Sequence, residues 1–324
     1  MTLNSQSFEK SSIKKLSMPS EPRAEKPLMR ARLLLFALPM ALLLTTGCAS
    51  LLTSKRKLLT PVAPGTVMTA TPDQLVAQIN DAWAKFQSLT ATVDVRASHL
   101  KTQEGTATDY PNFRANLLLR KPGALRVLGH APLIQTTMFD LGSDGTHFRL
   151  VIPPENLVYQ GLNASKGDSP KWYENLRPDP LFNSMVLRGL EPDEFYSVIS
   201  DSDTKEDLQS KHLVLHPEYI LNIVRRKPDS QELFPVRVIR FDRENLLPVE
   251  QDLYDDKGTL STQVIYAAYR DFDGTKYPST ITLKVPQNEY QLVMTVERVS
   301  ANPPLTDDQF QVNSPKGATV KDLK

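Results

Sequence analysis

From Thr90 to Val299 the apolar residues recur at every second position, interrupted once, and no helix between the strands is long enough to cross to a parallel neighbour. Val93 and Val95 alternate with Asp94 and Arg96, and Phe113, Ala115, Leu117 and Leu119 alternate with Arg114 and Asn116. Leu125 and Val127 follow a Pro122-Gly123 turn; Phe139 and Leu141 lead into Ser143-Asp144-Gly145, which returns the chain through Phe148, Leu150 and Ile152. The second half repeats the pattern over 195–199, 212–215, 219–224, 236–241, 249–254, 259–269, 280–285 and 290–299. Asp255-Asp256-Lys257-Gly258 and Gln287-Asn288 serve as hairpin turns there. This alternation predicts one sheet, antiparallel throughout, and a sheet of more than about ten strands must curl, split or close.

Two helices are predicted against the concave face of that sheet, giving an α+β fold. Thr71-Pro72-Asp73-Gln74 is a capping box with proline at the first helical position, and Leu75, Ile79, Ala82, Phe86 and Leu89 continue one stripe, so the first helix covers 72–89. Residues 153–193 break the period with six prolines, among which 179–188 reads as a helix with Asp179 as its N-cap and Gly189 as its stop. Leu181, Phe182, Met185, Val186 and Leu187 occupy most of its circumference, so protein or ligand must cover it. The segment 162–178 has no legible purpose.

Ahead of the folded part stands Leu42-Leu43-Leu44-Thr45-Thr46-Gly47-Cys48, holding the only cysteine of the chain. An apolar run, small residues and a cysteine have the shape of a bacterial lipobox, and Leu33–Leu44 is too short for the ~20 apolar residues of a membrane span. Residues 1–47 therefore read as a signal peptide, with Met29 as an alternative start, Cys48 as the lipidated, palmitate-bearing residue, 48–70 as a flexible tether and 71–324 as the domain. Thr45 departs from the aliphatic residue usual at that place. Ala49, where inner-membrane retention in enteric bacteria uses Asp, places the anchor in a Gram-negative outer membrane, facing the periplasm. A net charge of +1 provides no field for nucleic acid, and a lone cysteine makes no internal disulfide.

Constellations for catalysis are few, and none converges. His212 and His216 share one face of a period-two stretch opposite Leu213 and Leu215, a solvated arrangement more than a metal site. Asp201 to Asp207 begins like a calcium loop but has Glu206 where glycine is required, so it reads as an acidic loop. Without a Gly-x-Ser-x-Gly elbow, a phosphate loop or a dinucleotide fingerprint, the chain reads as a binding protein with no enzymatic, metal or cofactor chemistry. Two apolar helices over a sheet favour an apolar ligand, with a fully packed sheet lacking any cavity as the alternative.

Leu117 to Val127, containing Arg120-Lys121-Pro122-Gly123, and Phe310 to Val320 resemble segments of the lipoprotein-localisation family LolA and LolB. Arg126-Val127-Leu128-Gly129-His130-Ala131-Pro132-Leu133 and Pro180 to Ser184 with Leu187-Arg188-Gly189-Leu190 are similar to the LolB receptor's loop and lid segments. The resemblance covers roughly residues 72–320. It implies an unclosed antiparallel half-barrel with a helical lid and a cavity for acyl chains. The cavity residues would be Leu117, Leu119, Val127, Phe139, Leu141, Phe148, Tyr266, Leu283, Leu292 and Met294, with Leu181, Phe182 and Met185 from the lid. Lys121 stands where LolA uses an arginine to hold its lid shut, and a lysine lacks that planar fork of donors. Pro132, Leu133 and Ile134 would form a loop facing the membrane. The role implied is a monomeric outer-membrane lipoprotein that receives acylated lipoproteins or lipids, from a periplasmic LolA-like carrier, and helps insert them. The alternatives are a lipid-sensing envelope-stress lipoprotein on the same fold and, last, a lipid-directed enzyme.

Overall fold

The computed structural model describes residues 66–101, 104–131, 136–165, 169, 171–206 and 212–323, all within one compact unit. The signal segment, Cys48, most of the tether and the loop Pro132, Leu133 and Ile134 lie outside the described residues.

Helix α1 spans Pro72–Lys85 and α2 spans Pro178–Met185. The strands are β1 (Ser88–Lys101), β2 (Thr106–Asp109), β3 (Phe113–Arg120), β4 (Ala124–His130), β5 (Thr137–Ser143), β6 (His147–Ile152) and β7 (Leu157–Leu162). They continue as β8 (Glu194–Glu206), β9 (Leu213–Arg226), β10 (Leu233–Asp242), β11 (Pro248–Tyr254), β12 (Leu260–Phe272), β13 (Thr275–Val285), β14 (Tyr290–Ala301) and β15 (Thr319–Leu323). Among the described residues they form one open sheet in the order β15-β7-β6-β5-β4-β3-β1-β14-β13-β12-β11-β10-β9-β8, with β2 beside β1. The first long strand therefore sits mid-sheet. One meander leaves it through β3 to β7, and a second returns from β8 to β14, pairing Val95 with Met294 and Ala97 with Leu292. Strand β3, alternating between buried and exposed positions, shows why this works: one face meets the core and the other meets water.

Antiparallel pairing is not universal, because β15 runs parallel to β7, with Val320 opposite Val158. The physical reason is the tail that precedes it. After β14 the chain crosses the sheet face opposite the helices, where Arg126 donates to the Gln309 carbonyl (3.1 Å), Arg149 donates to the Val312 carbonyl (3.2 Å) and Val312 packs on Val151 and Val158. Gly142 permits the crossing, since a Cβ there would lie 2.5 Å from the Phe310 carbonyl oxygen. A return path this long lets a strand arrive in either direction.

Other boundaries move. The Thr71 capping box forms as read, with Gln74 N–H donating to Thr71 Oγ1 at 3.2 Å. However, α1 stops at Lys85, and Leu89 belongs to β1, buried between Leu119 and Ala301; its place on the helical stripe is a coincidence of spacing. Helix α2 begins one residue early, with Arg177 as an N-cap that makes no side-chain capping bond, its guanidinium donating instead to the Ser165, Glu174 and Leu176 carbonyls, and ends at Met185, before Gly189. Asp201 to Glu206 extends β8, with Asp203 opposite His216, and is no acidic loop.

Two apolar clusters lie on the helix-bearing face. Leu75, Val76 and Ile79 of α1 pack on Tyr219, Leu221, Ile223, Ile239 and Phe241 of β9 and β10. Leu181, Phe182 and Met185 of α2 join the larger cluster built on β1, β3 to β7 and β12 to β14.

Candidate functional site

A cavity of about 350 Å³ lies where the two clusters meet. One wall is a single face of α1, carrying Gln78, Ile79, Ala82, Lys85 and Phe86. The chain leaving α2 supplies Met185, Val186 and Leu187, and the sheet supplies Phe241, Tyr266, Tyr269 and Tyr277. Its volume falls at the small end of the range for small-molecule sites.

The tyrosines line it with ring carbon because their hydroxyls are engaged elsewhere. Tyr277 donates to the Met185 carbonyl at 2.6 Å, and Tyr269 donates to the Pro248 carbonyl at 2.8 Å. Gln251, almost wholly buried, donates to the Asn183 carbonyl at 3.0 Å, with the Tyr266 hydroxyl 3.5 Å from the same oxygen. Tyr277 and Gln251 thereby satisfy carbonyls at the end of α2 that the helix leaves orphaned. Burial raises the pKa of Tyr266, Tyr269 and Tyr277 well above the ordinary phenol value, so all three remain neutral donors.

Arg237 of β10 fastens the next stretch. Its guanidinium donates to the carbonyls of Arg188 (2.7 Å) and Gly189 (3.0 Å) and to the Glu194 carboxylate (3.1 Å), both side chains being buried. Desolvation lowers the Arg237 pKa, and the Glu194 charge opposes that shift. From the other side Asn80 of α1 accepts from the Leu190 N–H at 2.8 Å. The linker after α2 is thus pinned both to the sheet and to α1.

Lys121, at the turn between β3 and β4, donates to the Trp83 carbonyl at 2.9 Å and lies 4.4 Å from the centre of the Trp83 ring. That carbonyl belongs to the last turn of α1, where a cation is favoured by the helix dipole. Trp83 stacks on Phe86, and Phe86 meets Phe182 of α2 edge-on at 6.3 Å. Lys121 therefore holds the end of α1 over the sheet.

Nine of the ten predicted cavity residues lie away from this opening. Leu117, Leu119, Val127, Phe139, Leu141, Phe148, Leu283, Leu292 and Met294 are buried together in the larger cluster with Leu181, Phe182 and Met185. The void that Leu117, Val127, Phe139, Leu181, Leu292 and Met294 border is only about 10 Å³. Of the predicted set, Tyr266 and Met185 reach the 350 Å³ cavity. What fills the deeper space is Trp172 and Leu176, just ahead of α2. Trp172 is 3% exposed and stacks on Phe113 with ring centres 5.7 Å apart, with Phe139 and Tyr110 also around it. Leu176 is buried beside it. Glu174 secures the segment, accepting from the Tyr159 hydroxyl at 2.5 Å and the Ser169 hydroxyl at 2.6 Å, with Lys171 at 3.3 Å.

Sequence reasoning missed Trp172, Gln251, Arg237 and Tyr277. A tryptophan amid prolines is the one signal that marked any of them, since an aromatic that large must be buried somewhere. Among the described residues no group of His, Cys, Asp and Glu is arranged to hold a metal ion, and no helix is long and apolar enough to cross a membrane.

A family model described as an uncharacterized protein matches residues 193–314. No curated protein matches the chain. Among solved structures it is similar to a LolA superfamily protein of Nitrosomonas europaea, at 11% identity and a TM-score of 0.47, covering 75% of this chain and 99% of that one. A putative outer membrane lipoprotein-sorting protein domain of Vibrio parahaemolyticus follows at 13% identity and 0.45, covering 74% and 94%. A DUF1329 family protein of Desulfovibrio piger has 15% identity and 0.42, covering 74% and 95%.

Proposed function

We propose that this protein binds acyl chains of lipoproteins or lipids in the cavity between α1, the exit of α2 and the sheet, and passes them to the outer membrane without covalent chemistry. The observation that carries the reading is the cavity itself: an opening of about 350 Å³ whose Tyr269 and Tyr277 hydroxyls are spent on backbone carbonyls, so that along the tyrosines the ligand meets ring faces. At ~30 Å³ per methylene, taken as the volume share of a water molecule, it holds about a dozen chain carbons. Each methylene buried is worth ~0.8 kcal/mol relative to water, so the cavity offsets most of what a chain loses on leaving another apolar site, and transfer needs no nucleotide hydrolysis here.

The deeper residues Leu117, Val127, Phe139 and Leu292 would extend this site if α2 and the Trp172 segment withdrew, making those elements the lid and Lys121, through the end of α1, part of its latch. Lipidation at Cys48 would keep the protein at its membrane, and Leu133 with Pro132 and Ile134 would touch the bilayer during delivery.

Full-length protein carrying Cys48→Ser, purified without detergent, should contain acyl lipid identifiable by mass spectrometry. A preparation that neither contains lipid nor takes up a fluorescent fatty acid defeats the proposal. Leu133→Glu should leave uptake intact and slow transfer to vesicles; transfer at the unaltered rate removes the loop from the mechanism.

A further inference from the structure

The wall of the cavity carries charge of one sign. Its charged residues are Lys85 and Lys276, and no Asp or Glu lines it. Lys85 continues the stripe of Gln78 and Ala82 at spacings of seven and three, so it stands on the cavity side of α1 at its exposed end. Asn302 fixes its backbone there, donating to the Lys85 carbonyl at 3.1 Å while its own amide oxygen accepts from the Gln87 and Ser88 N–H groups at 2.8 and 3.2 Å. Lys276 lies at the start of β13, on the opposite wall. The residue facing it in the ladder is Asp271, whose carboxylate accepts from the Gly274 N–H at 2.7 Å and makes no ion pair with it. Both lysines are exposed, and among the described residues neither ammonium has a carboxylate partner. Elsewhere on the described surface Lys101, Lys171 and Lys227 each meet a glutamate, whereas Lys257 and Lys316 are without one.

A largely apolar cavity with two unpaired cations in its wall has a chemical complement: one aliphatic chain with an anion at its end. We infer that the preferred occupant is a single-chain amphiphile with a carboxylate or phosphate head, its chain along Ile79, Phe86, Met185 and Tyr266 and its head between Lys85 and Lys276. The volume points the same way, since a dozen carbons are one chain and not the several of a lipid-modified protein. This rests on the cavity being an acyl-chain site, and it adds which acyl compound enters.

Titration calorimetry on the full-length Cys48→Ser protein distinguishes the possibilities, with dodecanoate, dodecyl phosphate, the neutral monododecanoyl glycerol and dodecyltrimethylammonium, each kept below its micellar concentration. The two anions should bind about tenfold tighter than the neutral chain, the effect of two exposed ion pairs, with the cation weakest and the preference shrinking at high salt. Lys85→Glu leaves the wall one charge of each sign and should abolish the preference for anion over cation, and Lys276→Gln should remove part of it. If dodecanoate alone is preferred the source is a free fatty acid; if dodecyl phosphate alone is, it is a single-chain phosphate lipid. Equal affinity for all four overturns the headgroup inference and leaves the cavity reading standing. Binding of none overturns both.

Discussion

Two regions of the same sheet face end differently. Around β3 to β5 and β14 the space above the strands is filled by Trp172, Leu176 and Leu181, leaving about 10 Å³. Above β10, β12 and β13 it stays open at about 350 Å³, although α1 stands over it. The strands in both places present the same kind of buried apolar side chains, among them Leu117 and Val127 on one side and Phe241 and Tyr266 on the other. What differs is the covering element. An irregular segment can push an indole into the sheet, whereas α1, packed on β9 and β10 through Leu75, Val76 and Ile79, leaves space beside its last turns. The filled region is where stability resides, and the open one is where a ligand can be accommodated at little cost.

The filled region should break first. Trp172→Ala removes an aromatic from contact with Phe113, Phe139 and Tyr110 and should cost about 3–5 kcal/mol. Urea unfolding measures this; a loss below about 1 kcal/mol would show that the segment merely rests on the sheet. The same variant should enlarge the deep void and admit longer chains, which a chain-length series would detect.

A smaller effect is expected where the two regions join. Tyr277→Phe leaves the Met185 carbonyl at the end of α2 without its 2.6 Å donor and should cost about 1–3 kcal/mol. The sign of its pH dependence follows from linkage. Folding raises the pKa of Tyr266, Tyr269 and Tyr277, so above about pH 10 the unfolded chain releases phenolic protons that the folded one retains. Their contribution to stability is full below about pH 10 and is lost as the pH climbs from there towards the folded values. Tyr277→Phe should flatten that alkaline loss in a series of urea titrations; a slope unchanged from the parent would mean that Tyr277 ionises as freely folded as unfolded.

Filling the open region should scarcely affect stability. Ala82 is exposed on the cavity face of α1, and Ala82→Trp should shift the unfolding free energy by no more than about 0.5 kcal/mol while abolishing fatty-acid uptake. Uptake persisting at full strength would place the ligand elsewhere, and a large destabilisation would show that the cavity is needed for packing.

Much of the sheet was legible because alternation is a local property: Phe113, Ala115, Leu117 and Leu119 must share a face whatever they pair with. The cap of α1 was equally local, since Thr71 and Gln74 satisfy each other's backbone. Leu89 was assigned to the wrong element because helical spacing and strand alternation coincide over so few residues. The parallel direction of β15 was hidden because it depends on the tail's route across the far face, and no residue of β15 records it.

The site divides along the same line. Sequence alone determined which side chains turn inward, because a strand's period and a helix's period dictate that before any tertiary contact forms. Whether the inward face is filled or open was decided only in three dimensions, by where the chain places Trp172 and how Arg237, Gln251 and Tyr277 hold the carbonyls after α2. Those contacts join residues far apart in the chain, and a volume left between such elements is a property of their separation, which no local pattern encodes.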